Sequence, residues 1–154
     1  MTRPRLLDLF CGAGGAGMGY HRAGFDVIGV DIKNQPRYPF AFHQGDALAF
    51  CREHGHEFDA IHASPPCQAY SVMKSMNKHI VHPDLVAPTR DALEATGLPW
   101  IIENVVGSPL RTTVMLCGSM FGLRSHRGYL QRHRLFESNV LLFSPGPCRH
   151  EGLA

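Results

Sequence analysis

The stretch "SPPCQAYS", residues 64–71, sets a cysteine directly behind two prolines that stiffen its backbone. That setting suits a nucleophile held at a turn, and equally a small buried thiol beside one. An ordinary thiol with a pKa of about 8.5 is only a few per cent thiolate at neutral pH, so a catalytic Cys67 needs a helix terminus or a cation beside it. Lys74, Lys78, Arg132 and Arg134 are the candidate cations. Glu103, in "IIENV", is the acid that could accompany it. A carboxyl flanked by Ile101, Ile102 and Val105 is the kind that desolvation pushes toward higher pKa, keeping it available as a proton donor. The alternative is a strand-end carboxylate satisfied by neighbouring amides.

The third chemistry-bearing stretch is "CGAGGAGMGYHRAG", residues 11–24. Gly12, Gly14 and Gly17 fit G-x-G-x-x-G with Gly15 inside the loop, and Asp31 follows Gly12 by 19 residues. Glycines permit a tight turn and close approach of backbone to ligand, while a carboxylate at the next strand's tip accepts hydrogen bonds from ribose hydroxyls. A nucleoside-containing cofactor is expected, although the loop serves NAD, FAD and S-adenosylmethionine alike. Asp46, in "QGDA", suits either an adenine amino group or the N-cap of a helix.

These residues need strands and helices to hold them. "RLLDLF" (Arg5 to Phe10) and "FDVIGVDI" (Phe25 to Ile32) read as the first two strands, with a third ending near Asp46. "EFDAIHAS" (Glu57 to Ser64) and "LPWIIENV" (Leu98 to Val105) read as two more. The helix between them is expected to start after Pro88 and to stop at Gly97. "TTVMLCGSMFGL" combines a short apolar run with a turn or small helix, "HRLFES" reads as a late strand, and "SPGPCRHEGLA" is Pro/Gly-rich. Apolar runs alternating with helical segments predict an α/β fold, a mostly parallel sheet with helices on both faces. The glycine loop and Cys67 then share the carboxyl edge of the sheet, where such folds bind ligands.

At 154 residues with 44% hydrophobic content, the chain is expected to be one domain with a real core. No apolar run approaches the roughly 20 residues of a membrane span, and the start is polar and Arg-containing, so an intracellular protein is expected. Five cysteines without a CxxC suggest neither a disulfide framework nor a zinc ribbon. His54-Gly-His56 and Cys148-Arg-His150 read as isolated pairs without the two further ligands of a structural zinc, so no metal is expected. Residues 1–103 hold 9 Lys and Arg against 11 Asp and Glu, whereas residues 104–154 hold 6 against 2. The basic third is either a phosphate-facing surface or a solvated arginine face.

"DLFCGAGGAGMG", "SPPCQAYS", "IIENV" and "RHRLF" resemble, in order and approximate spacing, motifs of the C5-cytosine-specific DNA methyltransferases, across Asp8 to Phe136. Amino-methylating relatives carry an aromatic residue after the prolines, where this chain has Cys67. The resemblance implies a Rossmann-like methyltransferase fold that uses S-adenosylmethionine. Phe10 would flank the adenine, the Gly12 to Gly17 loop would cradle the methionine part, and Asp31 and Asp46 would hold ribose and adenine, with Pro66 also at the cofactor. Cys67 would add to C6 of a cytosine flipped out of DNA, Glu103 would engage N3 and the exocyclic amine, and Arg132 and Arg134 would contact O2 and brace the site. A pyrimidine C6 is electrophilic only when the ring is polarised at N3, which is why thiolate and acid belong together.

Gln131 directly precedes Arg132, one residue later than the glutamine usual in the family. No target-recognition region and no late Asn-containing motif follow, which leads us to expect a single catalytic domain over 1–154: a phage-type or truncated member, or one completed by a second chain. The cytoplasm of a prokaryotic or phage-infected cell is the expected location. Two other readings stay open, a catalytically silent nucleic-acid-binding remnant and the same chemistry on RNA. A NAD dehydrogenase leaves Cys67 and Glu103 without a role.

Overall fold

A computed structural model describes residues 2–66 and 84–150. The apolar runs become strands buried on both faces: β1 (Arg5–Leu9) has Leu6, Leu7 and Leu9 essentially without solvent contact. Continuous apolar patterning of this kind is what a covered parallel strand demands. The glycine loop leads into α1 (Gly15–Arg22), and then come β2 (Asp26–Asp31), β3 (Ala41–Gln44) and α2 (Ala47–His54). β4 (Ala60–Ala63), α3 (Val86–Glu94) and β5 (Trp100–Asn104) complete the parallel part. β6 (Val114–Cys117), a 3-10 turn over Gly118–Phe121, a small pair β7 (Arg124–Ser125) and β8 (Gly128–Tyr129), and β9 (His133–Ser138) follow.

The sheet runs in the order β3-β2-β1-β4-β5-β9-β6. The first five strands are mutually parallel; β9 lies antiparallel to β5, and β6 antiparallel to β9. Leu7 and Leu9 face α2 and α3 in a core with Val30, Ile61, Leu93 and Ile102. Asp8, one residue out of phase, faces Gly17 of α1 on the opposite side. Helices therefore cover both faces, as the βαβ pattern predicts.

β9 matches the expected strand residue for residue. α3 begins at Val86, ahead of the expected start, so that Pro88 sits in its first turn, where a missing N–H has no helical partner to lose. Gly97, at φ 68°, lies just past its end. No described helix is long and apolar enough to cross a membrane.

Candidate active site

β1 has β2 on one side and β4 on the other, so the chain winds away from it in both directions and leaves a crevice beyond the carboxyl ends of the central strands. A cleft of about 470 Å³ occupies that crevice. Phe10, Asp31 and Ile32 line one end, Ser64, Pro65 and Pro66 the middle, and Glu103, Asn104, Arg132 and Arg134 the other end. Its size is that of a small-molecule site.

The glycine loop is shaped by backbone conformation. Phe10, Gly12 and Gly14 have φ of 55°, 50° and 87°, which swings the chain out of β1 within a few residues. Phe10 carries a side chain in a region that favours glycine, a local strain typical of functional loops. A Cβ on Gly14 would sit 2.8 Å from Pro39 Cδ, and one on Gly17 would sit 2.9 Å from both Asp8 Oδ2 and the Tyr38 hydroxyl. Those two glycines serve packing, whereas Gly12 and Gly15 face open space. The Gly12 N–H donates to Asp31 Oδ2 at 3.0 Å and the Lys33 N–H to Oδ1 at 2.9 Å, locking that carboxylate at the tip of β2. Each oxygen keeps a lone pair for a further donor.

Asp46 is a helix cap. Its Oδ1 accepts the Ala49 N–H at 2.7 Å at the start of α2, and the residue does not line the cleft. Of its two sequence readings, the structure displays the local one. A short polar side chain after a glycine, before an amphipathic segment, finds the free amides of the helix it precedes.

At the other end, Glu103 and Arg134 meet directly, Oε1 to Nε at 2.8 Å, each side chain about a quarter exposed. The carboxyl expected among apolar walls is thus paired with a guanidinium. The reason is topological: β5 and β9 are antiparallel neighbours, so Glu103 lies beside the strand that carries Arg134. Arg132 lines the same cleft from the residue before β9. Cys67, Lys74 and Lys78 fall outside the described residues, but the prolines that lead into Cys67 line the cleft.

Asn104 holds the two halves together and was not anticipated. Fully buried at the end of β5, it donates from Nδ2 to the Pro65 carbonyl at 3.0 Å and accepts the Val105 N–H at 2.8 Å. The turn before Cys67 and the strand bearing Glu103 are therefore joined by one side chain. A buried asparagine in a strand of period two was the available signal; its partner was not.

Beneath the cleft, two titratable residues are register partners on β1 and β4: Asp8 and His62. Desolvation pushes Asp8 up to about 7, against hydrogen bonds from the Tyr38 hydroxyl and the Gly17 amide. Desolvation pushes His62 down to about 4. Its ring bridges the Tyr20 hydroxyl at 3.1 Å and Ser64 Oγ at 2.8 Å, fixing the first residue of the "SPPC" turn.

Away from the cleft, Cys148 and His150 are not the isolated pair expected from sequence. Cys117 and His133 lie against them, with the four ligand atoms within 4.8 Å of one another. Antiparallel pairing of β6 with β9 brings Cys117 opposite His133, a proximity invisible in residue spacing.

A family model described as C-5 cytosine-specific DNA methylase matches residues 4–105. The Type II methyltransferase M.XorII of Xanthomonas oryzae pv. oryzae is 29% identical over 129 residues, covering 70% of this chain and 29% of the relative. The Type II methyltransferase M.AgeI of Thalassovita gelatinovora is 28% identical over 120 residues, covering 67% and 28%. The chain thus spans under a third of the length of these curated relatives. The S. pombe Dnmt2 methyltransferase shares the fold, with a TM-score of 0.62 at 16% identity over 89% of this chain and 49% of that one.

Proposed function

The chain belongs to the C-5 cytosine-specific DNA methylase family, and from that we propose that it is a DNA (cytosine-5-)-methyltransferase domain that methylates C5 of a flipped cytosine through a covalent Cys67–C6 bond. The observation that carries this reading is the convergence on one cleft of the prolines preceding Cys67, Glu103 with its Arg134 partner, and Asp31 with the open glycine loop.

S-adenosylmethionine fits the opposite end from Glu103. Gly12 and Gly15 have no atom within 4 Å of where a Cβ would stand, Asp31 presents a fixed carboxylate, and Phe10 offers a ring at the rim. When bound, it supplies an electrophilic methyl group on a sulfonium. Asp31 would accept from ribose hydroxyls, Phe10 would flank the adenine, and the amides opening α1, which has no side-chain cap at Gly14, would receive the methionine carboxylate.

The chain's own residues carry the remaining steps. Cys67 as thiolate adds to C6, forming an S–C bond while ring electrons move toward N3 and C5. Glu103, acting as a carboxylic acid, donates its proton to N3 and accepts from the exocyclic amine, which stabilises that charge. Arg134 holds the Glu103 carboxyl in the cleft, and Arg132 and Arg134 together face O2 of the base. After C5 takes the methyl group, a base removes the C5 proton and the S–C6 bond breaks, restoring the C5–C6 double bond and the free thiol. Extruding the cytosine costs a few kcal/mol, which arginine contacts to phosphate offset.

Purified protein incubated with methyl-labelled cofactor and cytosine-rich duplex DNA is expected to place label on C5, and Cys67→Ala to abolish it. A covalent complex on 5-fluorocytosine DNA should form with Cys67 and not with Ala. Salt-sensitive DNA binding with neither label nor adduct would establish a silent binding module instead, and label confined to structured RNA would change the polymer while keeping the chemistry.

A further inference from the structure

We propose that Cys117, His133, Cys148 and His150 form a structural zinc(II) site that clamps the C-terminal tail to the strand carrying the cleft arginines. The donor set is two sulfurs and two imidazoles, the composition of closed tetrahedral zinc sites. Zinc–sulfur bonds near 2.3 Å and zinc–nitrogen bonds near 2.0 Å place tetrahedral ligand atoms about 3.3 to 3.8 Å apart. Here Cys117 Sγ lies 3.7 Å from His150 Nε2, and Cys148 Sγ lies 3.4 Å from His133 Nε2. All four atoms fall within 4.8 Å, so closing on an ion asks for a contraction of about 1.5 Å at most.

The surroundings support ligation. Cys117 and His133 are cross-strand partners that end β6 and begin β9, so both project from the same face of the sheet. The backbone turns sharply after Cys117: a Cβ on Gly118 would stand 2.8 Å from the Leu130 carbonyl oxygen. Ser119, buried in that turn, donates from Oγ to Cys117 Sγ at 3.3 Å and accepts the Arg149 N–H at 3.0 Å. One hydroxyl thus orients a ligand sulfur and holds the segment between the other two ligands, which is how outer-shell groups support a metal. Residues 139–150 have no regular secondary structure, yet Cys148 and His150 are held at the sheet. Metal bonds would add two covalent-strength anchors to the hydrogen bond from the Arg149 N–H to Ser119.

The consequence for the cleft follows from strand geometry. Successive side chains of a strand point to opposite faces. Arg134 lines the cleft, and its neighbour His133 is turned to the four-ligand cluster. An ion on that side fixes the start of β9 and with it the approach of Arg134 to Glu103.

The test reads metal and is independent of the proposed methyl transfer. Full-length protein made in zinc-replete medium is expected to carry one zinc per chain after gel filtration, by elemental analysis. Cobalt(II) in its place should give sulfur-to-cobalt charge transfer and the intense visible bands of a tetrahedral site. Chelation should lower the melting temperature. Cys148→Ser and His150→Ala, both in the irregular tail, should lose the metal while keeping the sheet's circular dichroism, and Ser119→Ala should weaken zinc binding at least about tenfold. Folded wild-type protein that takes up neither zinc nor cobalt would overturn the proposal, as would a Cys117–Cys148 disulfide in the unreduced protein.

Discussion

Asp8 and His62 sit side by side on β1 and β4, both deprived of water, and each is driven toward its neutral form. Their effects on stability have opposite signs. Asp8 rises from 3.8 to about 7, so between those values the folded chain holds a proton that the unfolded chain has released; stability falls as pH climbs through that window. His62 drops from 6.5 to about 4, so the unfolded chain takes a proton that the folded chain refuses; stability falls as pH drops through that window. Each slope is worth a few kcal/mol at its limit. Because the two windows overlap and the slopes oppose, they largely cancel, and urea unfolding of the wild type should be nearly level between about pH 4 and 6.5. Asp8→Asn should unmask the His62 slope, with stability falling as pH drops from about 6.5 to 4, and His62→Gln should unmask the Asp8 slope, with stability falling as pH climbs from about 4 to 7. Unfolding midpoints that stay level from about pH 4 to 7 in both single variants contradict the burial argument. Neither shift could be read from "LLDLF" or "DAIHAS". Their periodicity reveals strands, but which partner and which helix cover a polar residue depend on the assembled sheet.

At the level of elements, α3, β9 and the segment before β6 are fastened by one carboxylate. Glu137 accepts from Arg90 Nη2 at 2.7 Å and from the Arg111 N–H at 2.6 Å, and the same Arg90 nitrogen donates to the Pro109 carbonyl at 3.1 Å. Both side chains are almost fully enclosed. Burial alone would raise Glu137, but Arg90 and the Arg111 amide hold it below the usual carboxylate range, so the stability it contributes is present above that range and lost as pH falls through it. Glu137→Gln strands a buried guanidinium and is expected to cost about 3 to 5 kcal/mol in urea unfolding, while the double change Arg90→Met with Glu137→Leu should recover most of it. A single variant within about 0.5 kcal/mol of wild type would show the pair to be dispensable. The strand at 133–138 was legible because "HRLFES" alternates. The tether was not, because a charged residue in a strand reads as solvent-facing until a helix is laid across it. The start of α3 was misplaced for a related reason: proline forbids a helix interior but not a first turn.

Across the whole molecule, the cleft straddles the boundary between five parallel strands and the antiparallel pair β9 and β6. The strands and glycine loop of the parallel part were legible, since apolar runs, the loop itself and the acidic tip at Asp31 are local signals. The antiparallel extension was legible only as separate runs, and it is the part that delivers Arg132, Arg134 and the four-ligand cluster. That extension also belongs to the basic third of the chain, where Arg111, Arg124, Arg127, Arg132 and Arg149 are exposed. If the cleft receives a flipped base, as proposed above, exposed guanidiniums on this part of the chain would neutralise backbone phosphate, and counterion release would make association fall steeply with salt. If this face carries the DNA, Arg127→Ala, exposed and outside the cleft lining, should lower the slope of log K against log salt by about 1 and weaken binding alike for all sequences. Arg52→Ala, on α2 and not among the cleft-lining residues, should leave the slope unchanged. Equal slopes for wild type and Arg127→Ala would place the duplex elsewhere and return these arginines to the role of a solvated face.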